Sequence, residues 1–549
     1  MKGFHALLAA LAAATGAFAL AFTWQPGLAS MYDDSVSYLI QAQALSPFGM
    51  AHPAVLAAAP YEKYPPLFAA LLALTGGAFD WRVAHAVVAL AFAASVYLLG
   101  VLARQVTGSA WIAVATALVY AWIPGSWLSV KGILSEFPYM VLAFAALIVH
   151  GARAGKPLTR GAAIGLGALL AAAVLTRTIG ITLLAAIAFV EALRYARERD
   201  TARVRALAWT FAIPIVAAAL WYALRPSVGE DAYVSFGTGV LQGTAERGVG
   251  WAFSLVATNA SALAGAWLHA LLIFWGESWK PGFLIASAFG VLGLAASLRR
   301  AARGHADAAY VAAFLGLLLV WPFPGQMFRL AFPLVPLVLM NAFGALRQLF
   351  ALRWDSRRAE RWSAYAAGLP IALAAPAVLF YIADRARVPA DAASAYRAAD
   401  ITEFYRIPDR RSAERNVLAQ IGVFEDMDRI RKSVPEDARL MWYAPNYVAL
   451  LAHRHGVPMS RPTDAADLAA QVRATGANYI YLASVNPRDS ALRGGNPLDP
   501  FLQARGLADV QWQRAGADGE LQALLLRVRA DKAGESSRIA PVRNHAASS

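Results

Sequence analysis

Cysteine is missing from this sequence, and charged residues are scarce in it. None of the 549 residues is Cys, and only 15% of them are Asp, Glu, Lys or Arg. The lack of Cys excludes a disulfide framework, a thiolate nucleophile and a metal site with Cys ligands. The sequence also lacks an internal repeat, a Walker loop and a GxGxxG motif, so it carries none of these signatures of repeat proteins or nucleotide-binding domains.

Apolar residues dominate instead, since 58% of the chain is hydrophobic, which is far from the composition of a soluble protein. A membrane span needs roughly 20 apolar residues, or somewhat fewer when neighbours hold it. The sequence therefore predicts about eleven spans, at residues 6–22, 83–103, 109–123, 137–150, 161–175, 179–193, 206–224, 283–298, 308–321, 330–346 and 364–382. The stretch 251–275 is apolar but interrupted by polar residues, so it is either a further span or an interfacial segment.

The distribution of Arg predicts the orientation of these spans. A net charge of +14 would suggest a nucleic-acid partner for a soluble protein, but here Arg is concentrated in alternate connections between apolar stretches. Lys and Arg near span ends stay in the cytoplasm. We therefore expect no nucleic-acid partner, a location in the cell inner membrane, and a periplasmic position for the loop after residue 22 and for the chain after about residue 381. Residues 6–22 could instead be a signal peptide, but the long apolar run without a clean cleavage site favours a retained helix.

The last third of the chain differs in kind, because charge and Pro rise after residue 383 and no run of span length returns. Residues 383–530 are predicted to form a non-cytoplasmic α/β domain, with helices at 412–432, 447–453 and 465–474 and strands at 439–443, 478–482, 510–514 and 521–528. Residues 531–549 are predicted to be a disordered tail. The fold class is thus mainly α: residues 1–382 form a polytopic transmembrane helical bundle that precedes a soluble α/β domain.

Acidic residues follow the first predicted span directly. The segment MYDDSVSYLIQAQAL at 31–45 contains Asp33 and Asp34, and its helical rhythm places Asp34 and Tyr38 on one side. The same loop continues into YEKYPPLFAALLAL at 61–74, where Glu62 and Lys63 come shortly before a Pro pair that opens an apolar helix. An acid and a cation thus share one exported loop.

Three further segments carry isolated charges at the ends of predicted spans. They are ILSEFPYMVLAFAALI at 133–148 with Glu136, LTRTIGI at 175–181 with Arg177, and MFRLAFPLVPLVLM at 327–340 with Arg329. Taken in order, these segments and the exported loop resemble the GT-C superfamily of membrane glycosyltransferases, particularly the branches similar to protein O-mannosyltransferases and aminoarabinose transferases. Relatives usually run the Lys directly into Pro–Pro, whereas Tyr64 stands between them here.

The resemblance implies a membrane glycosyltransferase whose donor is a sugar on a polyprenyl phosphate. An acceptor hydroxyl, on a glycan, a lipid or a protein, would displace the phosphate at the anomeric carbon with inversion. A carboxylate must take the acceptor proton, and cationic side chains or a divalent metal ion must stabilise the departing phosphate. The reaction is expected on the periplasmic face, with membrane lipid around the site.

The same resemblance implies roles for individual residues. Asp34 or Asp33 is expected to be the base. The residues expected to bind substrate are Lys63, Glu62, Arg177, Arg329, Tyr38 and Glu136. Glu62 and Glu136 are also candidate ligands of a divalent metal ion. In the plainer interpretation, the Arg side chains reach lipid headgroups and Glu136 only caps its helix.

Two other classes of function remain open at the level of sequence. A multi-span transporter or lipid flippase also needs many spans and intramembrane charges, although no repeated half is present here. A non-catalytic assembly or sensor protein would use the exported domain for binding. Convergence of the acids and Lys63 on one cavity would favour the enzyme, whereas polar residues along a through-path would favour the transporter.

Overall fold

The computed structural model describes residues 2–28, 34–61, 64–153, 159–224, 232–272, 280–386, 410–460, 462–483, 507–516 and 521–529. The chain divides into two compact units. The first consists of Met1–Gly49 and Pro60–Pro408, and the second of Met50–Ala59 and Asp409–Ser549. The predicted tail, 531–549, lies outside the described residues.

Helices make up most of the described chain. In chain order they are α1 (Lys2–Thr23), α2 (Ser35–Leu45), α3 (Pro53–Ala58), α4 (Pro66–Thr75), α5 (Trp81–Thr107), α6 (Ala110–Trp122), α7 (Pro124–Val130), α8 (Glu136–Ala152), α9 (Arg160–Thr176), α10 (Ile181–Glu198), α11 (Thr201–Leu224), α12 (Ala232–Arg247), α13 (Val249–Leu272), α14 (Lys280–Ala302), α15 (Ala306–Leu319), α16 (Met327–Ala331), α17 (Val335–Ala351), α18 (Ser356–Ala386), α19 (Arg410–Ser433) and α20 (Ala465–Thr475). All but α3, α19 and α20 belong to the first unit.

Seven helical segments among the described residues are long and apolar enough to cross a membrane: Gly3–Thr23, Trp81–Thr107, Thr178–Glu198, Arg203–Leu224, Val249–Leu272, Lys280–Ala302 and Pro324–Ala351. The bent pair α6 and α7 makes an eighth if it counts as one span. The protein is therefore a multi-pass membrane protein. Each predicted span coincides with a helix, and the ambiguous stretch 251–275 is helical as α13.

The seven long segments among the described residues are not a subset of the eleven predicted spans. They include α13, which the sequence left open, whereas the predicted spans in α8, α9, α15 and α18 are not among them. α8, α9 and α15 are apolar but only 14 to 17 residues long. Neighbouring helices can anchor such short segments. The bend of 55° between α6 and α7 falls at Pro124, which has no amide hydrogen to continue the helical ladder.

A cluster of buried aromatic rings holds the start of α8 against the segment Pro324–Ala351. The Phe137 ring lies 4.6 Å from that of Phe92 and 5.8 Å from that of Phe332, measured between centroids. All three side chains are fully buried. Glu136 precedes Phe137, and Arg329 precedes Phe332 by one helical turn, so this packing fixes both charged residues relative to each other.

The second unit contains one mixed sheet of β1 (Arg439–Trp442), β2 (His455–Pro458), β3 (Tyr479–Ala483), β4 (Ala508–Ala515) and β5 (Leu521–Val528). The strand order is β2-β1-β3-β5-β4; β1 is parallel to β2 and β3, and β5 is antiparallel to β3 and β4. The predicted α/β character is confirmed. Strand β2 was not predicted, because its sequence HGVP has neither apolar alternation nor β-branched residues beyond one Val.

A buried ion pair joins helix α19 to this sheet. Asp426 of α19 accepts hydrogen bonds from the Tyr481 hydroxyl at 2.6 Å and from Arg514 Nη2 at 2.9 Å. The segment Met50–Ala59 also belongs to this unit, since the His52 ring stacks on the His453 ring with centroids 4.6 Å apart. Part of the loop between α2 and α4 therefore packs with the α/β unit.

Candidate functional site

A cavity of about 890 Å³ lies within the first unit. Its polar lining includes Asp34, Tyr64, Arg177 and Arg329. Its apolar lining includes the aromatic side chains of Phe236, Trp321, Phe323 and Phe328. The volume falls within the range of small-ligand sites, and the mixture of charge and aromatic surface suits an amphiphilic ligand.

Four charged side chains form a chain of alternating sign at this cavity. Arg329 Nη1 lies 2.6 Å from Asp34 Oδ2, and Arg329 Nε lies 2.6 Å from Glu136 Oε1. Arg177 Nη1 lies 2.6 Å from the same Glu136 oxygen. The Glu136 side chain is 1% exposed, whereas those of Asp34 and Arg329 are 30% and 29% exposed. Glu136 is thus the buried anchor, and Asp34 and Arg329 are accessible.

Asp34 occupies the position before the first turn of α2, where an Asp side chain usually caps the helix. Its carboxylate makes no such cap and bonds instead to Arg329 and to the Tyr64 hydroxyl. The Ser135 hydroxyl before α8 makes no cap either. At both helix starts a capping residue is used for side-chain contacts at the cavity, at the expense of helix stability.

Arg177 lies at a break between two helices. Its backbone is extended, with φ −148° and ψ 131°, between α9 and the 3₁₀ turn Thr178–Gly180. The turn packs closely on α9, because a Cβ added at Gly180 would come within 2.9 Å of the backbone of Ala173. The break lets the guanidinium leave the helical path and reach Glu136.

Arg329 lies in α16, a five-residue helix between two 3₁₀ turns, Pro324–Gln326 and Phe332–Leu334. Pro324 opens the first turn and Pro333 is the second residue of the other, and each Pro lacks the amide hydrogen needed for a regular hydrogen-bond ladder. The segment therefore reaches the cavity as short turns before α17 continues as a regular helix. This irregular entry places residues 324–330 along the cavity wall.

Tyr38 supports the ion cluster from within the protein. Its hydroxyl lies 2.7 Å from Ser135 Oγ, which in turn accepts a hydrogen bond of 3.4 Å from Arg177 Nη1. Its ring packs on those of Tyr64 and Phe68, each with a centroid separation of 4.9 Å. Burial raises the pKa of Tyr38 well above its ordinary value, so the hydroxyl stays neutral.

Tyr64 is a site residue that the sequence analysis missed. It interrupts the expected Lys–Pro–Pro order, yet its hydroxyl bonds to Asp34 and its side chain lines the cavity. Burial, followed by the negative charge of Asp34, raises its pKa well above the usual value, so Tyr64 remains a neutral donor. A Tyr directly before Pro–Pro was the available signal in the sequence.

The predicted site residues fall into two groups. Asp34, Tyr38, Arg177 and Arg329 line the cavity, and Glu136 bonds to both arginines behind it. Asp33, Glu62 and Lys63 lie outside the described residues. His269, which the sequence analysis did not single out, also lines the cavity, and its ring lies 4.8 Å from that of Phe328.

The described carboxylates do not by themselves suit a divalent metal ion. Within the described ranges, no three His, Asp or Glu side chains come together. Asp34 and Glu136 both contact Arg329, and that cation would repel a metal ion placed between them. Glu136 Oε2 has no hydrogen-bond partner among the described residues, so one free carboxylate oxygen remains.

No protein-family model matches the sequence, and no curated protein matches it. Solved structures do resemble it. The archaeal oligosaccharyltransferase AglB from Archaeoglobus fulgidus, in complex with an inhibitory peptide and a dolichol-phosphate, is 13% identical with a TM-score of 0.54 over 95% of this chain and 74% of that one. ArnT from Cupriavidus metallidurans bound to undecaprenyl phosphate is 14% identical with a TM-score of 0.51 over 97% of this chain and 99% of that one.

The chain has the GT-C fold. The resemblance predicted from five short segments is confirmed at the level of the fold, since both similar structures are of this type. A further AglB structure, in complex with Zn and sulfate, has a TM-score of 0.53 at 14% identity over 93% of this chain and 72% of that one.

Proposed function

We propose that this protein is a membrane glycosyltransferase that moves a sugar from a polyprenyl-phosphate donor to an acceptor hydroxyl. The observation that carries the proposal is the presence of one carboxylate, Asp34, and two guanidinium groups, Arg177 and Arg329, in the lining of one cavity of a GT-C fold. Sugar transfer from a phosphate needs both a base and a cationic phosphate site.

The lining of the cavity supports a lipid-linked donor. Arg presents several N–H donors in a plane, which fits phosphate oxygens. Aromatic residues, including Trp321 and Phe323, provide surface for an isoprenoid chain or a sugar. The similar ArnT structure is bound to undecaprenyl phosphate, and the similar AglB structure to a dolichol-phosphate, which agrees with this donor class.

The ion pair between Asp34 and Arg329 suggests how the donor activates the base. A donor phosphate that takes hydrogen bonds from Arg329 competes with Asp34 for the same guanidinium. Asp34 released in this way accepts the proton of the acceptor hydroxyl, whose oxygen bonds to the anomeric carbon. The bond between that carbon and the phosphate oxygen breaks, and polyprenyl phosphate leaves with the bonding electrons and remains beside Arg177 and Arg329. Attack opposite the leaving group inverts the anomeric centre.

The remaining predicted residues keep proposed roles around this step. Glu136 orients both arginines, because its Oε1 contacts each of them. Tyr38 and Tyr64 position Ser135 and Asp34. Asp33 stays the alternative base and Lys63 a further phosphate ligand. Glu62 is the second acid or, with Glu136, a ligand of a divalent metal ion.

The orientation proposed from the Arg distribution places this reaction on the periplasmic face of the inner membrane, with the α/β unit on the same side. Reporter fusions at Pro60 and at Pro435 should both report export. A cytoplasmic signal at Pro435 together with export at Pro60 would overturn the orientation.

The function is tested with the purified full-length chain in proteoliposomes. Polyprenyl phosphate is the common product whichever sugar moves, so its release from a panel of polyprenyl-phosphate sugars is the readout. Comparison of glycolipids and glycans between a deletion strain and the wild type selects the sugars and acceptors for the panel. We expect release of polyprenyl phosphate from at least one lipid-linked sugar. With nucleotide sugars as donors we expect no sugar transfer. Robust turnover of a nucleotide sugar would overturn the proposed donor.

A further inference from the structure

A second cavity, of about 700 Å³, lies in the first unit. It is lined by the ends of α5, α14 and α17 and includes Arg347, whereas the first cavity includes Arg329 of the same helical segment, Pro324–Ala351. Eighteen residues of helix correspond to about 27 Å, which is close to the thickness of the apolar part of a bilayer. The two cavities therefore lie towards opposite membrane surfaces.

The second cavity is strongly cationic. Four arginines line it: Arg299, Arg300 and Arg303 around the end of α14, and Arg347 on α17. Arg300 pairs with Asp307 at 2.9 Å, and Arg347 Nη1 donates to the Thr107 carbonyl at 2.5 Å. Within the described part of the chain, no ion pair involves Arg299 or Arg303, so their charges are available to an anion.

A buried acceptor adds a second requirement on the ligand. Asn341 lines the cavity and is 2% exposed, and its Nδ2 donates to the Leu337 carbonyl at 3.1 Å. Its Oδ1 is buried and has no hydrogen-bond partner among the residues that the structure describes. Buried polar atoms are nearly always bonded in folded proteins. A ligand with a hydroxyl group would satisfy this oxygen.

Most of the other lining residues are aliphatic, alongside the polar side chains of Thr107, His305 and Gln348. Leu349 and Leu352 line the cavity and are 50% and 84% exposed, so an apolar surface adjoins the arginines. None of the described lining residues is Phe, Trp or Tyr, and His305 supplies the ring present in the described lining. Cations beside exposed leucines fit an amphiphile with an anionic headgroup.

We propose that this cavity binds the headgroup of an anionic glycerophospholipid, with its phosphate at Arg299 and Arg303 and a headgroup hydroxyl on Asn341 Oδ1. Basic pockets between membrane helices are suited to such headgroups. The bound lipid would join α14 to α17, at the opposite end of the segment Pro324–Ala351 from the residues that line the first cavity. This site is separate from the proposed donor site and does not depend on the proposed reaction.

Lipid titration of the purified full-length chain, read by native mass spectrometry, tests the proposal. The probes are phosphatidylglycerol, phosphatidic acid, phosphatidylcholine and inorganic phosphate. Wild type should bind phosphatidylglycerol best, phosphatidic acid less well, and phosphatidylcholine weakly. The double variant Arg299→Gln/Arg303→Gln should bind phosphatidylglycerol about tenfold to 30-fold more weakly, since each headgroup contact of this kind contributes about 1 kcal/mol.

A matched control removes the same charge elsewhere. Arg353→Gln/Arg361→Gln changes two exposed arginines that do not line the cavity, and it should leave binding within about twofold of wild type, because only cavity arginines reach the headgroup. Equal losses in the two double variants would reduce the effect to surface charge and overturn the site. Inorganic phosphate that displaces phosphatidylglycerol at equal concentration would overturn the lipid as ligand.

A second variant tests the hydroxyl contact without changing charge. Asn341→Leu should abolish the preference for phosphatidylglycerol over phosphatidic acid while leaving phosphatidic acid bound. An unchanged preference in this variant would contradict the proposed contact with Asn341 Oδ1. The wild-type order of lipid affinities remains decisive even if a variant fails to fold: equal affinity for phosphatidylglycerol and phosphatidylcholine would overturn the proposal.

Discussion

Glu136 and Glu191 are two carboxylates of the first unit that are buried among cationic side chains, and their hydrogen-bond contacts differ. Glu191 is bonded through Oε1 to His150 at 2.8 Å, Arg194 at 3.0 Å and Arg203 at 2.9 Å, and through Oε2 to Arg203 at 2.7 Å. Glu136 is bonded through Oε1 to Arg177 and Arg329, whereas its Oε2 has no partner among the described residues. Both side chains are almost fully buried.

The exposure of the arginines that bond to these carboxylates also differs. Arg203, which holds Glu191, has 7% of its side chain exposed, whereas Arg329, which holds Glu136, has 29% exposed and continues to Asp34 at the cavity. The Glu191 cluster is closed and satisfied, as expected of a structural ion-pair network that joins α8, α10 and α11. The Glu136 cluster keeps accessible charge and one oxygen without a partner in the described part of the chain, which is typical of a ligand-binding site. Accessibility, rather than the mere presence of buried charge, separates the two.

The largest expected effect comes from the accessible acid. Asp34→Asn keeps the size of the side chain but removes the proposed base, so the transfer rate should fall on the order of 100-fold to 10,000-fold without loss of membrane abundance. Polyprenyl phosphate release in proteoliposomes measures it. The control is Asp80→Asn, since Asp80 also precedes a helix, caps Arg82 N at 3.0 Å and does not line the cavity. Full activity of Asp34→Asn would leave Asp33 as the base, and full activity of the double variant would eliminate both.

The closed cluster should respond in stability rather than in rate. Glu191→Gln leaves Arg194 and Arg203 without a full counter-charge, and loss of one partner from a buried network costs about 3–5 kcal/mol. Thermal unfolding in detergent should show a clearly lower midpoint, with a nearly normal transfer rate per folded molecule. A normal midpoint, or a rate loss as large as that of Asp34→Asn, would undo the distinction between the clusters.

Arg329→Lys tests whether geometry as well as charge matters at the cavity. Lys keeps the positive charge but cannot contact Asp34, Glu136 and a phosphate with one planar group. Loss of a charge-assisted hydrogen bond of about 1.5–3 kcal/mol predicts a kcat/KM roughly 10-fold to 150-fold lower for the lipid-linked donor. Arg361→Lys, at an exposed position outside the cavity, should have no effect. Unchanged kinetics in Arg329→Lys would instead indicate simple contact with lipid headgroups.

The smallest effect is expected at Tyr64. Tyr64→Phe removes one hydrogen bond from a neutral hydroxyl to the Asp34 carboxylate. At the lower end for a bond to a charged group, about 1.5 kcal/mol, the rate should fall by roughly tenfold. The loss should appear in kcat more than in KM if Tyr64 positions the proposed base. Tyr97→Phe serves as control, since its hydroxyl bonds to His5 at 3.0 Å, away from the cavity. A loss as large as that of Asp34→Asn would mean that Tyr64 contacts the reacting groups.

Part of this arrangement could be read from the sequence, because isolated charges are conspicuous in an apolar chain. Four such charges stood at predicted span ends: Asp34, Glu136, Arg177 and Arg329. The structure places each of them at or beside the first cavity. Their pairing could not be predicted. Arg329 contacts Glu136 across 193 residues of sequence, and only the packing of α8 on the segment Pro324–Ala351 brings them together.

Other features lacked a local signal altogether. Strand β2 is four residues long and owes its structure to pairing with β1. Residues Met50–Ala59 pack with the second unit, although nothing in their sequence indicates that partner. Tyr64 was informative only as a departure from the resemblance. In each case long-range contacts determine the structure, and such contacts leave no periodicity in the sequence.

The central claim is that the first cavity binds the donor phosphate through Arg177 and Arg329 and thereby frees Asp34. An experimental structure of the full-length chain with bound polyprenyl phosphate tests it most directly. We expect phosphate oxygens within hydrogen-bond distance, about 2.7–3.2 Å, of both guanidinium groups, and an Asp34 carboxylate that has separated from Arg329. A phosphate bound elsewhere, or one bound here with the Asp34–Arg329 pair intact, would contradict the account.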